Sequence, residues 1–502
     1  MINNRTVPLN INNFKLCLPY LIIILFSITF FVYGPLLRKH YALDTYVAEA
    51  YGNQANQQIE LGRFFSGTIL KVFTALGVNT AAHQSYFTFP SLCLLALSIY
   101  LLVRLFFGLR EEWDIKSFVL LCLSCVVSLC NVFMLHWFLF PEVVIFMMTG
   151  LILSILALFL LRDSGALRWI LCYVLLLAAV SFYQAVGAFF VTFGMLYIAM
   201  RRARQSPASV LRGFIAVFIV YGLAGITNVL LMTWHGRTTD RTSFQHTNPL
   251  KNIYGIIGSL QEKLQSTNLG AAPIYAFISL IFFLLVCGSL LLWKSADKKG
   301  LFQILFVLVA LTIGSFAATM APHLLTSTVD MSPRSIVALM SLPGVISLFM
   351  LSQPGPFNNK PLFSHLLLGF LLVFLFVNTY IIYSVEVSRF ATNRLDKEIA
   401  RMVYQEILQY EKETGNTVRR IAFRHDEEPT LCYPGLICYG NFRAMGRDWT
   451  IVPLISLVSG RSFIEASMPD SVYDIFFKGK NWNLYSKEQI MLQGDTLNLM
   501  LY

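Results

Sequence analysis

A polar segment, "YALDTYVAEAYGNQANQQIELGRFF" at residues 41–65, lies directly after the first long apolar run of the chain. It carries the carboxylates Asp44 and Glu49 and, further on, Arg63. A carboxylate can take a proton from an attacking hydroxyl, and a guanidinium can hold a leaving phosphate. Group transfer to a hydroxyl is therefore one chemistry that these residues could support. A solvated loop whose acids keep it out of lipid is the alternative, and the spacing alone leaves both open.

Two further polar segments, 233–250 and 321–335, concentrate cationic and imidazole side chains. The candidates there for holding an anionic group are His235, Arg237, His323 and Arg334. The planar donors of arginine suit a phosphate at a membrane surface, whereas interfacial anchoring or salt bridges with loop acids are the alternative. The His and Asp spacings lack metal-site patterns such as H-E-x-x-H, so we predict no metal site.

Two polar residues stand beside apolar runs. Gln184, next to Tyr183, is either a substrate ligand or a structural amide that satisfies helix partners. Glu142 follows Pro141 at the head of an apolar run, where a carboxylate is favoured by the helix dipole.

The nine cysteines divide into two groups. Seven lie in or beside apolar runs, where a thiol behaves as a small hydrophobe. Cys432 and Cys438 lie in "LCYPGLICYG", where Pro434 and Gly435 can turn the chain back. This pair is a candidate disulfide, with two free thiols as the alternative.

The composition indicates that much of the chain is surrounded by lipid. Only 13% of the 502 residues are charged and the mean hydropathy is +0.63, whereas soluble proteins carry about 25% charged residues. Apolar runs of about 20 residues, long enough to cross a bilayer, recur along the chain. They predict an all-α polytopic membrane protein. Arg38 and Lys39 end the first run without a cleavage pattern, so we expect no cleaved signal peptide. The net charge of +11 fits basic cytoplasmic loops and does not require nucleic acid as a partner.

The apolar runs predict about eleven transmembrane helices. The predicted spans are 16–37, 89–109, 117–136, 142–161, 167–183, 185–200, 210–233, 271–293, 301–320, 335–352 and 364–384. The fifth and sixth are short and form either a tight hairpin or a partly re-entrant pair. Basic residues alternate between the connecting loops, which predicts a cytoplasmic N-terminus and an extracytoplasmic C-terminal region.

This topology divides the chain into a membrane body at 1–384, with catalytic outer loops, and an outer region at 385–502. The outer region begins with an amphipathic pattern that Gly415 ends, and "VRRIAF" follows as a predicted strand. We therefore expect a small α/β extracytoplasmic region. The chain shows no Walker A, GxGxxG or GxSxG motif. An enzyme acting outside would need an activated donor delivered through the membrane, such as a polyprenyl-phosphate sugar.

Three segments carry a resemblance to a known family: residues 41–73, "SFYQAVGAFF" at 181–190, and "CYPGLICYGNFRAMGRDWTI" at 432–451. Together they resemble the Gtr type II family of serotype-converting O-antigen glucosyltransferases. In that family an acid-rich first outer loop is followed by Gly-Arg and an apolar helix. The family pattern has paired acids in the first loop, whereas here Thr45 follows Asp44. Either Asp44 or Glu49 is therefore the key carboxylate.

The resemblance implies a GT-C type fold in the bacterial inner membrane and an inverting transfer, with no nucleotide and no metal. It implies a hexose, usually glucose, carried by undecaprenyl phosphate to a lipid-linked or surface polysaccharide such as O-antigen. A flippase and a donor-synthesising glycosyltransferase are further implied partners.

In this interpretation Asp44 is the general base. The donor phosphate is held by residues chosen from Arg63, Arg237, Arg334, His235 and His323. Trp449, Tyr433 and Tyr439 of the outer region are either sugar-stacking residues or core residues. A transporter or flippase of lipid-linked sugars is the rival hypothesis, but it would place charges within the spans and show two similar halves. A GT-C transferase for another sugar is the second rival.

Overall fold

The computed structural model describes residues 11–110, 113–161, 165–202, 205–234, 251–256, 258, 298–324, 332–352, 361–425, 431–440, 442–480, 482 and 485–501. Its longer helices, in chain order, are α1 (Ile11–Tyr33), α2 (Leu43–Tyr51), α3 (Ala55–Glu60), α4 (Phe64–Ala75), α5 (Gln84–Phe107), α6 (Ile115–Leu129), α7 (Val132–Phe138), α8 (Val144–Leu160), α9 (Ala166–Phe182), α10 (Val186–Arg201), α11 (Pro207–Trp234), α12 (Lys298–Leu324), α13 (Leu342–Ser352), α14 (Pro361–Thr414) and α15 (Asp448–Ser459).

Helices occupy the place of each predicted span that falls within the described residues; the predicted span 271–293 lies outside them. Among the described residues, five helices are long and apolar enough to cross a membrane, and six if α6 and α7, bent by 54°, form one span. These helices indicate a membrane protein. The predicted count of eleven is not confirmed, because α8, α9 and α10 have only 16 or 17 residues and reach about 25 Å.

The polar segment between α1 and α5, named the first outer segment after its predicted position, is folded into the short helices α2, α3 and α4. Asn53 joins its two halves, because its Nδ2 donates to the Val78 carbonyl at 2.7 Å and its Oδ1 accepts from the Thr80 N–H at 3.0 Å. Two aromatic side chains of this segment, Tyr41 and Tyr46, are buried in the core of the C-terminal region. The first outer segment and the C-terminal region therefore share one core.

One helix, α14, connects the membrane body with the C-terminal region. The sequence predicts a span at 364–384 followed by a separate amphipathic helix, but the structure has a single helix of 54 residues, about 81 Å long. The chain contains no glycine or proline between 370 and 414, so nothing interrupts the helix. It ends as predicted before Gly415, which has a φ of +73°.

The C-terminal region contains the small sheet expected of an α/β unit. Strands β1 (Arg420–His425), β2 (Ile464–Ser467), β3 (Ile490–Gln493) and β4 (Thr496–Leu501) lie in the order β2-β1-β4-β3. Strand β1 pairs in parallel with β2 and β4, and β3 and β4 form an antiparallel hairpin. A strand is confirmed at the predicted place, since residues 420–423 of "VRRIAF" (418–423) belong to β1.

Candidate functional site

Asp44 is the second residue of α2 and is half-buried. The helix begins here because the Thr45 side chain turns back: its Oγ1 accepts the backbone N–H of Ala42 at 3.0 Å. A carboxylate in the first turn is also favoured by the helix dipole. The local sequence therefore fixes the position of the Asp44 backbone at the start of the helix.

The Thr45 hydroxyl also links α2 with the membrane body. It donates a hydrogen bond of 2.7 Å to Oε2 of Glu142, a residue 97 positions away in the connection between α7 and α8. Glu142 is only 6% exposed, and burial raises its pKa to about 7. The neighbouring charge of Asp44 raises this pKa further, whereas the Thr45 bond and Arg334 lower it. Asp44 and Glu142 thus form a pair of carboxylates that are close in space.

Arg334 provides a cation beside this pair. Its guanidinium lies 4.5 Å from the centre of the Phe140 ring, two residues before Glu142. Its backbone carbonyl accepts the Trp137 indole N–H at 2.8 Å and the Tyr183 hydroxyl at 3.4 Å. These bonds join Arg334 to both α7 and the turn between α9 and α10.

Arg63 lies on the other side of Tyr183. Its guanidinium is 4.6 Å from the centre of the Tyr183 ring, and its Nη1 donates to Gln58 Oε1 at 2.9 Å. Its Nε lies 3.5 Å from Oε1 of Gln184, whose amide donates in turn to the Leu61 carbonyl. The side chain of Gln184 therefore holds the turn that carries Arg63.

Gly62 allows this turn to form. Its φ of +77° is one that other residues rarely adopt, and a Cβ at this position would collide with the sulfur of Met232 and crowd the Gln184 amide. The glycine of this Gly-Arg pair is thus a local geometric requirement.

The structure brings four predicted residues into one chain of contacts, namely Asp44, Arg63, Gln184 and Arg334. The Arg63 guanidinium lies over the Tyr183 ring, and the Arg334 backbone carbonyl accepts hydrogen bonds from Tyr183 and Trp137. The carboxylates of Asp44 and Glu142 lie near Arg334. Such an arrangement can hold an anionic leaving group beside a proton acceptor.

Glu49 lies on another side of α2. Its Oε1 forms an ion pair of 2.6 Å with Lys39 Nζ, and its carboxylate also neighbours Tyr41 and Lys397. Glu49 is five positions after Asp44, so the two side chains are rotated by about 140° from each other around the helix axis. Glu49 is therefore directed toward α14, away from Glu142.

Three further binding residues were predicted from the sequence, namely His323, His235 and Arg237. His323 is in the last turn of α12, where its carbonyl accepts a hydrogen bond of 3.3 Å from Asn252. His235 and Arg237 lie outside the described residues. No group of three His, Cys, Asp or Glu side chains suited to a metal ion occurs within the described part of the chain.

Cys432 and Cys438 are joined in the structure, with their Cα atoms 5.9 Å apart. The loop that they close packs on the membrane body. The Tyr439 hydroxyl donates to the Val132 carbonyl at 3.0 Å, and the Ile437 N–H donates to the Ser388 hydroxyl at 3.1 Å. The loop therefore anchors the C-terminal region close to α7.

Two residues of α14 hold the chain just before α2. Asn393 accepts the Tyr41 N–H at 2.8 Å and donates to the Tyr41 carbonyl at 2.9 Å. Arg389 donates to the same carbonyl at 3.0 Å and to the Gly440 carbonyl at 2.9 Å. Both side chains are buried.

Arg389 and Asn393 were not predicted from the sequence, and Glu142 was considered only as a helix-start acid. The sequence nevertheless contains features that distinguish all three residues. Glu142 is an acid between two apolar runs, and Arg389 and Asn393 are four residues apart, which puts them on one helix face.

Most of the residues of this site lie in a range that matches a known protein family. Residues 35–351 match the family model described as glucosyl transferase GtrII. This range contains Asp44, Arg63, Glu142, Gln184 and Arg334. No curated protein and no solved structure matches the chain.

Proposed function

Since the chain belongs to the glucosyl transferase GtrII family, we propose that it transfers glucose from undecaprenyl phosphate to a lipid-linked or surface polysaccharide such as O-antigen. The reaction takes place on the extracytoplasmic face of the bacterial inner membrane, in a body of GT-C type. The family supports the glucosyl transfer, and the apolar helices support the membrane location. The observation that carries the site is the carboxylate pair beside Arg334, with Arg63 connected to Arg334 through Tyr183.

In the proposed reaction an acceptor hydroxyl attacks the anomeric carbon of the donor sugar with inversion. The bond between that carbon and the phosphate oxygen breaks as the new glycosidic bond forms. Asp44 takes the hydroxyl proton, and undecaprenyl phosphate leaves with the bonding electrons. Arg63 and Arg334 stabilise the charge that develops on the phosphate. Gln184 keeps Arg63 in place through its contacts with Arg63 and Leu61.

The acceptor glycan binds to the C-terminal region in this proposal. Of the three aromatic candidates, Tyr433 and Tyr439 are buried and belong to the packing of the protein. Trp449, at the start of α15, is 51% exposed, and the Arg447 guanidinium lies 5.8 Å from its ring centre. An exposed indole face with a neighbouring donor suits a sugar ring, so Trp449 is the candidate for acceptor stacking.

The test uses membrane vesicles that carry undecaprenyl-phosphate glucose and receive a membrane-impermeant acceptor. We expect transfer in right-side-out vesicles and none in inverted ones. Asp44→Asn keeps the size of the side chain but cannot accept the proton, and the rate should fall by about 10²–10⁴-fold. Arg63→Ala should chiefly raise the KM for the donor, because it removes a charged contact to phosphate.

Glu60→Gln is the matched control, because Glu60 belongs to the same outer segment at the end of α3. This variant should transfer glucose at the wild-type rate. Wild-type transfer by Asp44→Asn at equal membrane content would overturn the assignment of the base. Movement of the donor across the membrane without any transfer would instead support the rival flippase hypothesis.

A further inference from the structure

Glu142 is a buried carboxylate that the proposed mechanism does not use. It lies outside the membrane-spanning helices, in the connection between α7 and α8, and is 6% exposed. Its hydrogen bond of 2.7 Å comes from Thr45, the residue directly after Asp44. The same Thr45 oxygen accepts the Ala42 N–H at 3.0 Å. One hydroxyl therefore joins the start of α2 to the membrane body.

We propose that Glu142 is a positioning residue of the transfer site, which holds the first turn of α2 through Thr45 and so places Asp44 for proton transfer. This inference rests on the proposed function and deepens it. Glu142 is 97 positions from Thr45 in the sequence, and this hydrogen bond brings its carboxylate next to the first turn of α2. Glu142 itself touches neither the sugar nor the phosphate in this arrangement.

The charges around Glu142 give this role an electrostatic part. The groups that face it are Asp44 on α2, Arg334 before α13, and Arg389 on α14. Burial raises the pKa of Glu142 to about 7, so its charge changes near neutral pH. When Glu142 loses its proton, the hydrogen bond that it accepts from Thr45 becomes charge-assisted and holds the first turn of α2 more firmly. The rate of transfer should therefore rise as the pH passes through about 7.

Thr45 supplies a variant with a defined effect. Its hydrogen bond favours the ionised form of Glu142 and lowers the pKa of that carboxyl. Thr45→Val keeps the side-chain shape but removes the hydroxyl and with it the link to Glu142. The kcat should therefore fall, and the step in rate near pH 7 should be lost. Thr45→Ser keeps the hydroxyl and should retain the wild-type profile.

The experiment measures kcat and the donor KM from about pH 5 to about pH 9, a range that covers the ionisation of Glu142. The proteins are the wild type, Glu142→Gln, Thr45→Val and Thr45→Ser. Glu142→Gln should lose the step near pH 7, and kcat should fall by about tenfold to a hundredfold, as expected of a misplaced catalytic group. The donor KM should stay within about twofold, because the arginines are unchanged.

If Glu142→Gln does not accumulate in the membrane, the proposal is tested with Thr45→Val and Thr45→Ser alone. Wild-type kcat and an unshifted pH profile for Thr45→Val would overturn the proposal. A kcat that falls equally at every pH in both Glu142→Gln and Thr45→Val would assign Glu142 a purely structural role and would also overturn it. If the wild type itself transfers no glucose, the proposed function fails, which is a different result from an active wild type with indifferent variants.

Discussion

The two ends of helix α2 are held in different ways, although each carries one carboxylate. At the Asp44 end, buried groups from α14 and the α7–α8 connection bind the backbone of Tyr41 and the side chain of Thr45. At the Glu49 end, the acid pairs with Lys39, and the side chains of Lys39 and Glu49 are 45% and 13% exposed. Surroundings that differ this much give similar side chains different tasks. The Asp44 end is rigid and suited to chemistry, whereas the Glu49 end is an attachment to α14.

Substitutions at the two ends of α2 should therefore change the free energy of unfolding by different amounts. Removing a buried, hydrogen-bonded charged side chain is strongly destabilising, because its former partners stay buried and have no water to replace the lost hydrogen bonds. A partly exposed ion pair contributes little, because solvent screens it. Substitutions in the attachments around α2 should therefore differ in effect, with Arg389→Met the most destabilising, Cys432→Ser intermediate and Glu49→Gln the least.

The largest effect is expected from Arg389→Met, which removes both hydrogen bonds that Arg389 makes with the Tyr41 and Gly440 carbonyls. Loss of one member of a buried charged network costs about 3–5 kcal/mol. The measurement is thermal unfolding in detergent, together with glucose transfer. Arg394→Met is the matched control, since Arg394 is 81% exposed on the same helix. An equal response of the two variants would contradict the buried attachment, and Asn393→Ala tests the same contact if Arg389→Met does not fold.

An intermediate effect is expected from Cys432→Ser, which opens the loop that packs against α7. The link between Cys432 and Cys438 spans six positions, and closing so short a loop stabilises the fold by about 2 kcal/mol. Thermal unfolding with and without a reductant should show this loss in the wild type and no further loss in the variant. Alkylation should detect two additional thiols after reduction. Identical labelling before and after reduction would show that the pair is not bridged.

The smallest effect is expected from Glu49→Gln. This change removes the ion pair with Lys39, which should cost about 0–1 kcal/mol because the pair is partly solvated. Transfer should stay close to the wild-type rate, in contrast with Asp44→Asn. A loss of transfer comparable to that of Asp44→Asn, at an unchanged unfolding temperature, would make Glu49 the general base and reverse the comparison.

Much of the fold follows from local sequence patterns. Apolar runs gave helices at each described predicted span, Gly415 ended α14, and the apolar residues of "VRRIAF" gave a strand. These features depend on neighbours in sequence. The single helix across residues 384 and 385 was not predicted, because the change from apolar to amphipathic composition suggested a boundary. Backbone continuity depends instead on the absence of breakers between 370 and 414.

The candidate site was predictable only in part, for a physical reason. Asp44, Arg63, Gln184 and Arg334 were recognisable because polar residues beside apolar runs are unusual. The pairing of Asp44 with Glu142 and the attachment of Tyr41 to Asn393 depend on contacts across 97 and 352 positions. No local pattern encodes such distances. The different surroundings of Asp44 and Glu49 likewise arise from the body against which α2 packs.

The unbroken course of α14 has a consequence for changes in chain length. An extra residue between the membrane portion and Arg389 would turn everything beyond it by about 100° and raise it by about 1.5 Å. Arg389 and Asn393 would then point away from the Tyr41 backbone that they bind. Only additions close to whole numbers of turns, about seven or eleven residues, would restore the orientation, and each would lift the attachment by 10 Å or more. Both the length of the helix and its rotation per residue set the positions of Arg389 and Asn393. This stretch should therefore tolerate substitutions far more readily than insertions or deletions.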